Sequence, residues 1–317
     1  MATATRGKRG LTRRQLLVRT ASTAALASVG TLAKPNLSRA GDRPLIVSGI
    51  QSGDVAADSA VIWARADRPA RMRVECAADE NFKTILRAAS VDALPDQDFI
   101  AKLLLDGLPQ GQEVFYRVQF ESFDDSAIAG EAHVGHFRTA PRARKSISFL
   151  WSGDTAGQGF GIDPALGGMR TYRTMLQNNP NFFIHSGDHI YADCPVPSEL
   201  KLPDGRIWRN LVTEEKSVVA QTLAQFRGNY KYNWLDENFR AFHAQVPMFA
   251  QWDDHEVTDD WSPIGSVDAT GYAEDGTSHL VARARRAFSS SCRFARSPPR
   301  PDASTARLPT ARCSTSS

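Results

Sequence analysis

The acidic residues of this chain fall where chemistry could use them. The apolar run ISFLWSGD (147–154) stops at Gly153-Asp154. The run NFFIHSGD (181–188) stops the same way at Gly187-Asp188, and Tyr191 and Asp193 follow. A third apolar run, VPMFAQWDDHE (246–256), closes on Asp253, Asp254, His255 and Glu256. One Asp beside a Gly is ordinary turn chemistry. Three strands that each deliver a carboxylate at the C-terminal end gather anions at the edge where α/β sheets bind ligands. Such a cluster repels itself unless cations sit among the oxygens, so the arrangement calls for metal.

Carboxylate and phenolate are hard donors. A free phenol titrates near ~10, so only a strongly acidic ion displaces its proton. Ferric iron does this; calcium and magnesium do not. Tyr191 therefore points to a trivalent ion beside a divalent oxygen site, with Asp188 placed to bridge. The alternative for Tyr191 is a strand-edge ring with a solvated hydroxyl. His255 follows Asp254 and is expected to face substrate, stabilising or protonating a leaving oxygen. Its bland alternative is a satisfied loop histidine. Glu256 is expected to orient His255. Asp253 reads as a second ligand or a helix cap. His189 is a candidate for the mouth of the site, and His185 reads as a hydrogen-bonded core residue.

Elements able to position these groups are legible. Strand, helix, strand over 147–188, with Met169, Tyr172, Met175 and Leu176 at helical spacing, is a parallel βαβ pattern. Residues 214–245 read as mostly helical, with Val218, Leu223, Phe226 and Tyr230 on one face, then Phe239 and Phe242. Ahead of them, 44–140 alternates as a β-sandwich. SAVIWAR (59–65), RMRVECA (71–77), EVFYRVQF (113–120) and GHFRTAP (135–141) are short β-branched or aromatic runs between turns. In EVFYRVQF, Val114, Tyr116 and Val118 share one face. The segment has no cluster of catalytic residue types, so its expected role is support or pocket shaping.

The chain has 317 residues, 42% hydrophobic and 23% charged, enough for a core and two domains. Its net charge of +3 is a property of the first 40 residues, which hold eight Lys/Arg and no acid. The remainder has 30 Lys/Arg against 35 Asp/Glu, which argues against a nucleic-acid footprint. Paired Arg13-Arg14 before Leu16-Leu17, then a weakly apolar small-residue stretch ending at Ala40, reads as a twin-arginine export signal over 1–40. That reading implies the twin-arginine translocase as partner, a periplasmic or extracellular destination, and no membrane anchor after cleavage. Cys76, Cys194, Cys292 and Cys313 share no CxxC spacing.

In the order Gly-Asp, Gly-Asp-x-x-Tyr and Asp-His, the chain resembles calcineurin-like metallophosphoesterases and purple acid phosphatases. More closely it resembles the PhoD-like alkaline phosphatase/phosphodiesterase family, through SGDTAGQG (152–159), FFIHSGDHIYAD (182–193), FRGNYKYN (226–233) and PMFAQWDDHEVTDDW (247–261). The resemblance implies an incomplete α/β catalytic domain of metallophosphoesterase type over 147–288, preceded by a fibronectin/immunoglobulin-like β-sandwich over 44–140. It implies Fe3+ and Ca2+, or another divalent ion such as Mg2+, Mn2+ or Zn2+. Asp154, Asp188 and Tyr191 would hold one ion, Asp188 and Asp254 its neighbour, and His255 would contact phosphate. Some relatives carry cysteine where Asp154 stands, which leaves the metal preference open. The implied activity is an exported hydrolase cleaving phosphate mono- or diesters by metal-activated water. A phosphodiesterase acting on lipid or teichoic-type polymers is a variant of it.

Family members supply further ligands well downstream. Here only His279 follows His255 among the histidines. Residues 289–317 are crowded with Ser, Arg, Pro and Ala, with a single acid, a composition that cannot bury a core. They are expected to be an out-of-frame or disordered tail. The expectation is then a truncated domain with exposed apolar faces, and a catalytically inert fragment is the competing class.

Overall fold

The computed structural model describes residues 40–262 and 277–292. Seven strands form the first part: β1 Ile46–Gly53, β2 Ala60–Ala66, β3 Ala70–Ala77, β4 Ile85–Ala93, β5 Ile100–Leu105, β6 Glu113–Glu121 and β7 His133–Arg138. One sheet has the order β4-β3-β6-β7; β5-β2-β1 belongs to the other. Ile50, Ile62 and Leu105 from one side meet Met72, Val74, Tyr116, Val118, Phe120 and Phe137 from the other. Period-two alternation produces this core. In β6 the residues 114, 116, 118 and 120 are buried and their neighbours are not.

The second part adds β8 Phe149–Ser152, β9 Phe182–His185, the hairpin β10 Glu199–Lys201 with β11 Ile207–Arg209, and β12 Met248–Ala250. Its helices are α1 Arg170–Leu176, α2 Leu223–Asn233, α3 Glu237–Gln245 and α4 Thr277–Ser291. Strands β12, β9 and β8 run parallel in that order, so their C-terminal ends share one edge. Helix α2 starts with a capping box, Thr222 with Gln225, and α3 with Asp236 accepting the Phe239 N–H. Val218 does not join a helical face: it is extended and exposed, after a single tight turn at Glu215–Ser217.

The two parts share a sheet. Gly53 of β1 pairs in parallel with Met248 of β12, giving the order β5-β2-β1-β12-β9-β8. Strand β2 serves both cores. Ile62 faces the sandwich, while Trp63 turns the other way and stacks on Trp234 at 5.0 Å. The Trp63 Nε1–H donates to Ser290 O at 3.0 Å, and Gln51 Nε2 donates to Ser291 O. Helix α4 thus continues past residue 288 to Ser291, and Ser290, Ser291 and Cys292 are buried. The expected tail beginning at 289 is corrected accordingly; 293–317, like the leader 1–39, lie outside the described residues.

One face of the parallel strands packs on α1 and α3 through Phe183, Met248 and Ala250. The other carries Phe149 and Trp151, 50% and 73% exposed, with Phe182, Ile184 and Phe249 half-buried. Phe149 stacks on Phe182 at 5.2 Å, and Phe182 meets Phe249 edge-on. Parallel sheets are ordinarily covered on both faces. Among the described residues this one is covered on one.

Candidate metal centre

In each Gly-Asp the Asp takes a left-handed backbone just past its strand. Asp154 has φ 59° and Asp188 φ 53°, both in the left-handed region that Asp tolerates better than most residues. The two turns are laced together: Asp154 N–H donates to Gly187 O at 3.2 Å, and Thr155 N–H to Asp188 O at 2.9 Å. Gly187 is required at φ 108°, where a Cβ would stand 2.3 Å from the Asp253 Cβ. Gly157 is required for a different reason. A Cβ there would lie 2.1 Å from the Tyr191 ring, so the absence of a side chain lets that ring lie flat over the turn.

The carboxylates converge. Ligand atoms of Asp188, Asp254 and His255 lie within 4.8 Å of one another. Asp188 is 9% exposed, and its Oδ1 is buried with no hydrogen-bond partner among the described residues. Burial, reinforced by the neighbouring Asp154 and opposed by His255, pushes the Asp188 carboxyl up to about 6. Asp254 and Asp253 add to the rise. Burial also raises the Tyr191 phenol, and the charges of Asp188 and Asp154 raise it further. Asp154, Tyr191 and Asp254 thus each lie close enough to Asp188 to act on its carboxylate or be acted on by it. A buried carboxylate oxygen without a donor, ringed by hard anionic groups, is a donor set that fits hard cations.

His255 stands beside them with its ring fixed. Its Nδ1 is 2.9 and 3.0 Å from the two Asp193 oxygens, and its Nε2 is 3.5 Å from Asp259 Oδ1. Burial lowers its proton affinity, but the Asp193 hydrogen bond and charge prevail, with help from Asp188 and Asp254, and hold it up to about 9. Asp193 also accepts the Asp259 N–H at 2.7 Å. The orienting residue is thus Asp193, not Glu256. Its signal in the sequence was only its place in HIYAD, two residues after Tyr191.

Glu256 does something else. It is fully buried and accepts N–H groups from Asp188 at 3.2 Å, His189 at 2.6 Å and Asp253 at 2.8 Å. Burial pushes its carboxyl up to about 8 against those three bonds. It ties the turn after β9 to the turn after β12. Asp253 Oδ1 accepts the Asp254 N–H at 3.1 Å, a local cap. His189 does not line the mouth. It is 6% exposed and stacks on His185 at 3.8 Å, beneath the site. His185 is the core residue expected, with Nε2 2.8 Å from Thr155 Oγ1. Cys76 and Cys194 are both free thiols.

Comparison with known proteins bears on the chain as a whole. The PhoD-like phosphatase family profile matches residues 149–305, and the profile of the PhoD-like phosphatase N-terminal domain matches 31–141. Alkaline phosphatase D of Bacillus subtilis (strain 168) is 26% identical over 225 residues, which cover 68% of this chain and 36% of that protein. A solved PhoD structure superimposes with a TM-score of 0.63 at 24% identity, over 81% of this chain and 48% of that one. A purple acid phosphatase from yellow lupin (Lupinus luteus) seeds gives a TM-score of 0.46 at 14% identity, over 78% of this chain and 40% of that one. The chain thus spans about a third of the curated relative and about half of the solved PhoD chain. With both profiles matched in order along the sequence, the chain belongs to the PhoD-like phosphatase family.

Proposed function

We propose that this chain carries the cation-binding face of a metal-dependent phosphoester hydrolase. The observation that carries the reading is the buried Asp188 Oδ1, which has no hydrogen-bond partner among the described residues while Asp154, Tyr191, Asp254 and His255 surround the same carboxylate. In this reading Asp154, Asp188 and Tyr191 hold a trivalent ion such as Fe3+, and Asp188 and Asp254 hold a divalent neighbour such as Ca2+. Hard cations bound there supply charge neutralisation for a phosphoryl group and a water acidified to a nucleophile. Asp193 holds His255 by Nδ1, and Nε2 stands 3.5 Å from Asp259 Oδ1. In the metal-free site the Asp193 hydrogen bond and charge hold this imidazole protonated up to about 9 against its burial, and a protonated imidazole can donate to a leaving oxygen. The substrate class is a phosphate monoester or diester.

The test is hydrolysis of an aryl phosphate monoester and diester by the chain loaded with iron and calcium, beside Asp188→Ala. Turnover in the wild type and its loss in the variant supports the reading. Equal rates in both would sink it. The two substrates also separate a phosphatase from a phosphodiesterase of lipid or polymer backbones.

A second reading has its own support. The uncovered aromatic face at Phe149 and Trp151 favours a fragment that binds cations but turns nothing over. Cation binding with no hydrolysis of either ester would select it. In both readings residues 44–140 act as a supporting sandwich of fibronectin/immunoglobulin type, and 147–288 as the cation-binding part. The twin-arginine leader over 1–40 remains a proposal of export. No helix among the described residues is long and apolar enough to cross a membrane.

A further inference from the structure

Two buried ionisable side chains hold the loop that bears Asp188 and Tyr191. At its start the Glu256 carboxylate accepts the Asp188 and His189 N–H groups. Further along, Lys216 Nζ donates to the Tyr191 carbonyl oxygen at 2.8 Å. Lys216 is 2% exposed and sits in the tight turn Glu215–Ser217. Its own backbone is locked on both sides. Val196 N–H donates to Lys216 O at 3.0 Å, and Lys216 N–H donates to Thr213 Oγ1 at 3.3 Å.

A buried ammonium is costly, and an apolar side chain of similar length would fill the same space without that cost. One carbonyl hydrogen bond does not offset it. The surroundings supply the rest of the account. Burial pushes the Lys216 ammonium down to about 8, with Cys194 and Asp193 opposing the fall, and Tyr191 bears the phenol that lies against Asp154 and Asp188. Fixing the Tyr191 carbonyl fixes where its side chain leaves the backbone. Gly157 under the ring then sets how the ring lies. A cation behind the loop also eases the mutual repulsion of the carboxylates in front of it.

We propose that Lys216 is a positioning residue for Tyr191, acting with Glu256 to hold the phenol on the Asp154–Asp188 carboxylates before any cation binds. This rests on the reading of those residues as cation ligands. A ligand loop shaped in advance binds metal more tightly than one that must be ordered by the metal.

The probe is Tb3+, a hard trivalent ion whose emission is sensitised by a tyrosine ring close to it. The part of the sensitised emission lost in Tyr191→Phe reports Tyr191. Lys216→Met, checked as folded by circular dichroism, is expected to lose that same part and to bind Tb3+ about tenfold more weakly. Lys216→Gln keeps an N–H donor and is expected to retain most of it. A folded Lys216→Met with wild-type emission and affinity overturns the proposal. So does Lys216→Gln as impaired as Tyr191→Phe, which also decides the matter if the Met variant does not fold. A wild type without Tyr191-dependent emission overturns the ligand reading itself, and is told apart because no variant is needed to see it.

Discussion

At Asp188 the site opposes the fold. A carboxylate whose proton affinity is raised in the folded state keeps its proton more readily there than in the unfolded chain. Without a cation, its contribution to stability is therefore full below the ordinary value near 3.8 and falls as pH rises through about 6. Asp188→Asn removes that charge. The metal-free variant is expected to be more stable than wild type by about 1–3 kcal/mol at pH 8, measured by urea unfolding, and to lose cation binding. At pH 3 the two should converge. His255 gives the same direction of pH dependence, although there the fold favours the charged form. Its raised affinity adds stability that is full below about 6.5 and fades as pH rises through about 9. In Asp193→Asn the His255 imidazole should titrate lower by one unit or more, followed by the histidine ring resonances in NMR. Asp188, Tyr191, Asp254 and His255 were legible because Gly-Asp, Gly-Asp-x-x-Tyr and Asp-Asp-His are contiguous. Asp193 and Lys216 carried no such mark: their partners lie 62 and 25 residues away along the chain.

Elements set how well those residues meet. Strands β8, β9 and β12 are read readily because each is an apolar run with an acid at its end. The turns after them do the finer placement. Gly157→Ala puts a methyl group into the Tyr191 ring without asking for a left-handed backbone. The ring must move, so the variant should lose about 1–3 kcal/mol of stability and most of its Tyr191-sensitised Tb3+ emission. Emission equal to wild type would show that the ring has another resting place. Strands β1, β4 and β5 left weaker traces in the sequence. Strand β1 is interrupted by Gly49 at φ 66°, and β4 is only partly buried, so neither shows clean alternation. Strand β2 misleads in the other direction: its near-continuous burial comes from serving two cores.

Taken whole, the described molecule is a sandwich fused to a parallel layer through the Gly53–Met248 pair and the Trp63–Trp234 stack. Its open side is the aromatic face of β8 and β9. Apolar rings in water bind hydrophobic dyes and one another. The double variant Phe149→Lys, Trp151→Lys should therefore bind less anilinonaphthalene sulfonate and sediment with less self-association, while its unfolding midpoint moves by no more than about 1 kcal/mol. A large loss of stability would mean that these rings are covered in solution. The sequence marks β8 and β9 as apolar runs but does not say which rings share the exposed face. Which rings form it required the strand register, Phe149 opposite Phe182 and Trp151 opposite Ile184.

The sequence by itself determined the strand ends that carry acid and the types of donor placed there. These are short-range properties: an apolar run, a glycine and a carboxylate lie within a few residues and need no partner to be read. Only the tertiary structure decided that Asp193 holds His255, that Glu256 ties two turns together, that His189 faces inward, and that a buried Lys216 stands behind Tyr191. Those assignments depend on which distant backbone groups packing brings within hydrogen-bond reach. Hydrogen bonds act over about 3 Å in space and leave no periodic trace along the chain.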